Sequence, residues 1–481
     1  MNKASKNSII YGFGMIALAV AGLLNTVVLT HVLDSRTYAM YGLLITAANA
    51  AVTVISLGYP NSYMRFYYDH PQRKMNFLLR CIAIPLVLLI CLVCCLLEPQ
   101  RLLTSMLFET QLSLPAVLLL SCYLLFLLIH QFSVRGVRME ERAWNYVMSE
   151  CLFKFGFILA VALLFWMYRT VSFTQVVVCL AVCTFAAVAV NFFALLGLKP
   201  KQEKIQSVPA TQTKLFRYGF PLMLHAAAVL VIPLIEKMLI RRLSGWEILG
   251  IYTAASVFFT FVTLIANAVN NVWEPIVYQN YREREKFPAL LHDVAFSATA
   301  VSALVFAFSV LLRRWLVLLL APQYHAVLAI VPTVVYSACF QMATGFYSAG
   351  INIAQKTVHS TISSVIQITG SVALCLILIP RFGLCGAAAS VLISILLSRG
   401  YRAVVGLYYY STGVRETKSL LLCVLCLPIC FITMTERSLL SDVLLFVVVL
   451  VMLVLIGNRE LLFLLKKGIR FFFGQSKESS H

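Results

Sequence analysis

The chain has 481 residues, of which 61% are hydrophobic and 12% charged, with a mean hydropathy of +0.89. Globular domains carry about 25% charged residues, which excludes a soluble fold. The net charge of +19 invites nucleic-acid binding, but Lys and Arg punctuate apolar runs and gather on no polar domain, so nucleic acid is not an expected partner.

Apolar runs of about 20 residues with short polar breaks mark an all-α, polytopic membrane protein. Barrel strands would need alternating segments of about ten residues. The spans fall near 9–33, 38–58, 77–97, 112–134, 147–168, 172–197, 215–240, 248–272, 290–312, 325–349, 357–379, 384–408, 419–434 and 440–458, fourteen in all. The first is too long for a signal-peptide core and is read as retained. The ninth and tenth are the least distinct, because Arg313 and Arg314 interrupt a longer run.

Lys and Arg in alternate breaks total 26 on one side and 9 on the other. The positive-inside bias then puts both termini in the cytoplasm. No break exceeds about twenty residues, too short to hold a soluble catalytic domain.

The halves repeat. Tyr11-Gly12-Phe13 opens span 1 and Tyr218-Gly219-Phe220 opens span 7, and Gly42 matches Gly250. Phe132/Phe346, Gly136/Gly350, Arg142/Lys356 and Gly156/Gly370 pair at a single offset of 214. An even span count per copy makes the repeat parallel, with its pseudo-two-fold along the membrane normal. The expected domains are a six-helix lobe at 1–198, a second at 214–410, two additional helices at 418–463 and a cytoplasmic tail at 464–481. Substrate would sit between the lobes.

The 14 cysteines lie in apolar runs. Cys91/Cys94 and Cys423/Cys426 have CxxC spacing, but no His or acidic ligand neighbours them, so packing is the expected role. No Walker, zinc or triad pattern occurs, so no catalytic residue, metal or cofactor is expected.

Charges inside spans are the candidate cavity residues. Glu150 and Lys154 stand i,i+4 on one face of span 5, with Lys154 about 6 Å deeper. They either neutralise each other at the interface, with Lys154 snorkelling, or face a cavity. Glu236 and Lys237 point about 100° apart near the outer end of span 7. Lys237 either snorkels outward, beside Arg241 and Arg242, or lines the rim. Glu236 must find a cation or water, or stay protonated. His225, Asn270 and Asn271 are polar groups in or at the ends of spans, read as interhelical hydrogen-bonders or as cavity lining. Asn25, Asn49, Asn191 and Asn267 carry the same alternatives. Arg65 lies among Tyr59, Tyr63, Phe66, Tyr67 and Tyr68, a candidate interfacial belt in which it either holds a phosphate or marks the cytoplasmic face.

Several stretches resemble the bacterial polysaccharide-transport (O-antigen flippase) family. They are LGYPNSYMRFY (57–67), YGFPLMLHAA (218–227), LSGWEILGIYTAAS (243–256), APQYHAVLAIVP (321–332), GINIAQKTVHSTISSV (350–365) and IPRFGLCGAAASVLIS (379–394). That family shares a superfamily with toxic-compound exporters and the lipid II flippase. The resemblance implies a flippase in the bacterial inner membrane that turns an undecaprenyl-diphosphate-linked oligosaccharide outward by alternating access. It implies membrane lipids, a polysaccharide polymerase and assembly proteins as partners. Arg142 and Lys356, paired in the repeat, are cytoplasmic gate candidates. Many relatives carry Asp-Arg where this chain has Glu236-Lys237, and Lys lacks the bidentate fork of Arg. A cation-coupled drug exporter with Glu150 as its acid, a lipid II-type flippase and a non-transporting assembly scaffold are the competing readings.

Overall fold

In hydrocarbon each backbone N–H and C=O must be bonded within its own segment, so long apolar runs fold as helices. The computed structural model describes residues 3–69, 74–97, 102–109, 111–196, 211–280, 287–354, 356, 358–410, 416–435 and 438–474. The helices are α1 (Lys3–Val32), α2 (Ser35–Ile55), α3 (Tyr59–Arg65), α4 (Lys74–Leu96), α5 (Leu102–Phe108), α6 (Leu114–Met139), α7 (Ala143–Tyr168) and α8 (Phe173–Leu196). They continue with α9 (Gln212–Asn280), α10 (Phe287–Leu318), α11 (Val331–Gly345), α12 (Ala349–Ile353), α13 (Val358–Tyr409), α14 (Glu416–Thr435) and α15 (Leu439–Gly474). Short 3-10 segments cover Pro322–Ala329 and Phe346–Ser348, and no strand occurs among the described residues.

Among those residues ten helices are long and apolar enough to cross a membrane, or eleven if the pair bent by 54° at Ile330 is one span. This is fewer than the fourteen expected, and two broken helices account for part of the difference. The 69 residues of α9 pass through non-helical backbone at Gly245 (φ 83°), and the 52 of α13 through Gly383, just after Pro380. Unbroken, they would run about 100 and 80 Å at 1.5 Å per residue, far beyond a hydrocarbon core of about 30 Å. A Cβ at Gly245 would meet nothing within 4 Å, so glycine is required there by its backbone angle and not by space. Within α1, Ala17–Val32 is an apolar helical stretch among the described residues.

Helix ends follow local chemistry. Asp34 caps α2, accepting the Thr37 N–H at 3.2 Å. Pro60, Pro115 and Pro332 stand at first-turn positions, where a missing N–H costs nothing.

The chain divides into two compact units, Met1–Met238 and Leu239–His481. In the first, α6 packs on α8, α8 on α7 and α7 on α1, while α3 and α4 lie against α6. In the second, α10 is the hub: α11, α14 and α15 pack on it, and α11 carries α13. Trp273, Phe287, Phe346 and Tyr347 anchor a buried cluster there with Met342 and Ala403.

Arg313 and Arg314 do not interrupt α10, which runs on to Leu318. Asp442, in the first turn of α15, removes the reason for a break. Its Oδ1 lies 2.5 Å from Arg313 Nη2 and its Oδ2 3.1 Å from Arg314 Nε, while Arg313 Nη1 donates to the Thr433 carbonyl at 2.6 Å. Arg313 and Asp442 are both 0% exposed, which ties α14 and α15 to α10 through a compensated charge.

Candidate functional site

In the first unit, Lys237 turns inward to α2. Its ammonium donates to the Gly42 carbonyl at 2.9 Å and to Thr46 Oγ1 at 2.8 Å, and Thr46 in turn donates to the same carbonyl at 2.8 Å. Lys237 is 9% exposed and Glu236 4%. Sequence alone leaves snorkelling open for Lys237; the structure instead closes a three-membered polar knot on a helix carbonyl. A glycine carbonyl and a threonine hydroxyl one helical turn apart supply the two acceptors. Glu236 lies within Coulombic reach of the ammonium, so the pair compensates one another across a buried helix face.

A second cluster joins α1, α6 and α7. Lys154 Nζ donates to the Leu18 carbonyl at 3.4 Å, a long bond, and Glu150 Oε1 lies 3.8 Å from His130 Nε2. Glu150 and Lys154 form no direct ion pair among the described residues but stay within Coulombic reach of each other, and their nearest polar contacts come from neighbouring helices. Arg138, whose guanidinium lies 5.7 Å from the Tyr146 ring centroid, adds positive potential at Glu150. Nearby, Asn25 Nδ2 donates to Tyr41 OH at 2.9 Å, and Tyr41 stacks on Phe157 at 5.5 Å. The result is a half-buried carboxylate flanked by an imidazole and two cations, chemistry suited to holding a polar or charged group inside a bundle.

The segment around Arg65 differs from an interfacial belt. Tyr59, Tyr63, Phe66 and Tyr67 are buried, and only Tyr68 of the five aromatics is exposed, at 58%. Tyr63 packs on Phe77, Tyr67 and Phe132, and Ser62 Oγ donates to the Leu215 carbonyl at 2.6 Å, so these rings are core. Tyr67 OH donates to Glu140 Oε1 at 2.6 Å; burial first, and then this carboxylate, push its phenol well above the usual range, so it remains a donor. Directly before this segment, Gly58 (φ 77°) meets Gly219 backbone to backbone, and a Cβ on either would strike the other's main chain. Arg65 itself is exposed, with its guanidinium 5.5 Å from the Phe66 ring centroid, and Lys214 Nζ stands 5.1 Å from that ring. One aromatic ring therefore gathers two cations from distant parts of the sequence.

Of the remaining candidates, Arg142 donates through Nη1 to the Ala194 carbonyl at 2.6 Å. Lys356 is exposed in the turn before α13, and Asn270 is half-buried late in α9. The side chains of His225 and Asn271 lie outside the described residues. The structure thus groups Glu150 with Lys154, and Glu236 with Lys237, in separate clusters. His130 and Lys214 were missed in the sequence because their partners are 20 and 148 positions away, respectively. Cys423 and Cys426 are buried in α14, where with Cys339 they line a small void between α10, α11 and α14. No group of three or more His, Cys, Asp or Glu among the described residues is arranged to hold a metal.

Comparison with known proteins bears on this arrangement. No curated protein matches the chain. Among solved structures, the lipid II flippase MurJ in an inward closed conformation superposes with a TM-score of 0.71 at 13% identity, covering 94% of this chain and 100% of that one. An inward-facing multidrug resistance MATE family transporter of the MOP superfamily gives 0.59 at 15% identity, covering 84% and 98%. The MATE multidrug transporter DinF-BH, in a ligand complex, gives 0.58 at 17% identity, covering 85% and 96%. At these identities the likeness establishes the fold alone: an all-α architecture like that of MurJ and the MATE proteins. The family model described as polysaccharide biosynthesis protein matches residues 4–281, more than half of the chain. This protein therefore belongs to the polysaccharide biosynthesis protein family.

Proposed function

We propose that the chain is a flippase that moves an undecaprenyl-diphosphate-linked oligosaccharide from the inner to the outer leaflet of the bacterial inner membrane by alternating access. The observation that carries this reading is the coincidence of a polysaccharide-biosynthesis family match over residues 4–281 with a fold like that of a lipid II flippase over nearly the whole chain. On this reading α9 and α13 each count as two spans, and α1 and the bent pair as one each, giving fourteen with both termini cytoplasmic. Residues 1–198 and 214–410 form the two six-helix lobes, and 418–463 the added pair.

The physics is consistent. Glycan hydroxyls entering hydrocarbon would lose their hydrogen bonds to water, and a polar interior removes that cost while the prenyl tail stays in lipid. With the cell interior negative, outward movement of an anionic diphosphate is favoured by about 2.3 kcal/mol per charge per 100 mV. Glu150, Lys154, Glu236, Lys237, His225, Asn270 and Asn271 are the proposed cavity residues, Arg65 with Lys214 a proposed phosphate contact on the cytoplasmic side, and Arg142 and Lys356 proposed gate residues. The protein carries out no covalent chemistry on this reading; polymerase and assembly proteins act on what it delivers.

The test is a deletion strain without a redundant flippase. Lipid-linked oligosaccharide should accumulate facing the cytoplasm, and surface polysaccharide should be lost and restored by the wild-type gene. Normal surface polysaccharide in that strain sinks the proposal. MATE-like neighbours favour cation-coupled drug export as the second reading; raised drug tolerance on expression, abolished by Glu150→Gln, would favour it over the first.

A further inference from the structure

Between Asp293 and Glu416 the sequence contains no Asp or Glu. The cations in that stretch must therefore find their compensation elsewhere. Arg313 and Arg314 find it at Asp442. Arg399 and Arg402 do not. Both are half-buried in the last third of α13, and the Nε of each is buried without a hydrogen-bond partner. Neither forms an ion pair among the described residues.

Their place on the helix sharpens the point. At 100° per residue, Leu392, Ile395, Arg399, Arg402, Ala403 and Gly406 fall within one arc of about 100°. Leu392, Ile395 and Ala403 on that arc are at most 2% exposed, and Gly406 lies backbone to backbone against Tyr347. Two guanidinium groups thus occupy positions on a packing stripe, where an apolar side chain is the norm. The elements packed most extensively on α13 are α11, the 3-10 turn at Phe346–Ser348 and α12, none of which contains an acid. Ala403 also shares a buried cluster with Trp273 of α9 and Phe287 of α10, and Asp293 of α10 forms no ion pair with either arginine among the described residues. The other half of the hairpin supplies only neutral donors and acceptors and one imidazole. Ser363 Oγ donates to the Ser398 carbonyl at 2.9 Å, Gln367 Oε1 accepts from Ser398 Oγ at 3.4 Å, and His359 Nδ1 and Nε2 lie 2.8 and 3.2 Å from the hydroxyls of Tyr401 and Tyr409. Exposed Lys356 stands at the same end.

We propose that Arg399 and Arg402 form a binding site for a phosphate group carried by a lipid. Two like charges one helical turn apart repel, and their forks, each able to grip an oxyanion bidentately, share one approach direction. A phosphate or diphosphate supplies the charge that the surrounding helices lack, and partial exposure leaves the guanidinium tips open to it. The site lies about 10–15 Å from the C-terminal end of α13, at 1.5 Å per residue, within reach of a headgroup drawn inward from the membrane surface. The alternating Lys and Arg count assigns these arginines to the basic break that follows; the helix carries them inward instead.

The source of the phosphate is either the prenyl diphosphate of the proposed substrate or an anionic phospholipid headgroup. The first source rests on the flippase reading and the second does not. The purified full-length protein in a neutral detergent should be titrated separately with inorganic pyrophosphate, undecaprenyl diphosphate and phosphatidylglycerol. Wild type should bind pyrophosphate and at least one of the lipids. Arg399→Gln with Arg402→Gln should weaken that binding at least tenfold, and Arg399→Lys with Arg402→Lys should recover part of it. Because the glutamine variant could fail to fold, wild type is also labelled with phenylglyoxal. Pyrophosphate should protect Arg399 and Arg402 several-fold, as read by peptide mass spectrometry, while Arg381 labels unchanged. Absence of protection, or equal binding by a folded glutamine variant, overturns the site. Binding of phosphatidylglycerol with none of undecaprenyl diphosphate keeps the site and counts against the prenyl carrier reading alone.

Discussion

Replacing Asp442 by alanine strands Arg313 in a protein interior with no counter-charge. In the wild type both side chains are 0% exposed and the shortest contact is 2.5 Å. At an effective dielectric constant near 20, unit charges about 4 Å apart attract by about 4 kcal/mol, and removing one member of a buried pair typically costs about 3–5 kcal/mol. Arg314, whose side chain is 33% exposed, is screened by its surroundings and adds little. Asp442→Ala should therefore destabilise the second unit by about 3–5 kcal/mol, or about 2–4 °C of melting temperature per kcal/mol for a domain of 150–250 residues. Thermal unfolding of the purified protein, followed by size-exclusion of the surviving fraction, measures it. The double variant Arg313→Met with Asp442→Leu leaves no buried charge and should recover at least half of the loss. An Asp442→Ala protein that melts within about 2 °C of wild type, or a double variant worse than the sum of its singles, would refute the argument.

Lys237→Met and Thr46→Val each remove part of the same knot, so their destabilisations should fall short of additive by about 0.5–3 kcal/mol in a double-mutant cycle; strict additivity would show that the knot does not act as a unit. Gly58→Ala combines a positive φ with a main-chain collision at Gly219 and should abolish recovery of monodisperse protein. Gly245→Ala, with open space around it, should cost only the backbone strain of a non-glycine residue at φ 83°, ψ −179°, about 1–3 kcal/mol; equal effects of the two would contradict the distinction. Tyr67→Phe takes the hydroxyl from Glu140 and should cost about 1–3 kcal/mol in the same melting assay, with no change if Glu140 is already satisfied by water.

Much of the fold was legible because its governing signals are local. Apolar run length, Pro60, Pro115 and Pro332 at helix starts, and the turn glycines are all read within a few residues. The helix breaks at Gly245 and Gly383 fall in the short gaps between the expected spans 215–240 and 248–272, and 357–379 and 384–408. The continuation of α10 through Arg313 and Arg314 was not legible, since the compensating Asp442 is 129 residues away. Site chemistry was less legible for the same reason. Spacing put Glu150 and Lys154 on one face, but their nearest polar contacts come from His130 on α6 and the Leu18 carbonyl on α1. Composition around Arg65 suggested a surface belt, because aromatic residues suit an interface and a core equally well. Only tertiary bonds such as Ser62 to Leu215 decide between them.

The contact of Gly58 with Gly219 has a mechanical side. Main chain against main chain leaves no room for a side chain, so no rotamer shift can change the separation there. The Arg313–Asp442 clip is the opposite kind of joint, directional and rigid. The first is fixed by closeness, with Ser62 bonded to Leu215 and Phe66 packed on Tyr218 beside it, whereas the second is fixed by charge. The beginning of α9 is thus held by backbone proximity and the beginning of α15 by a directed charge.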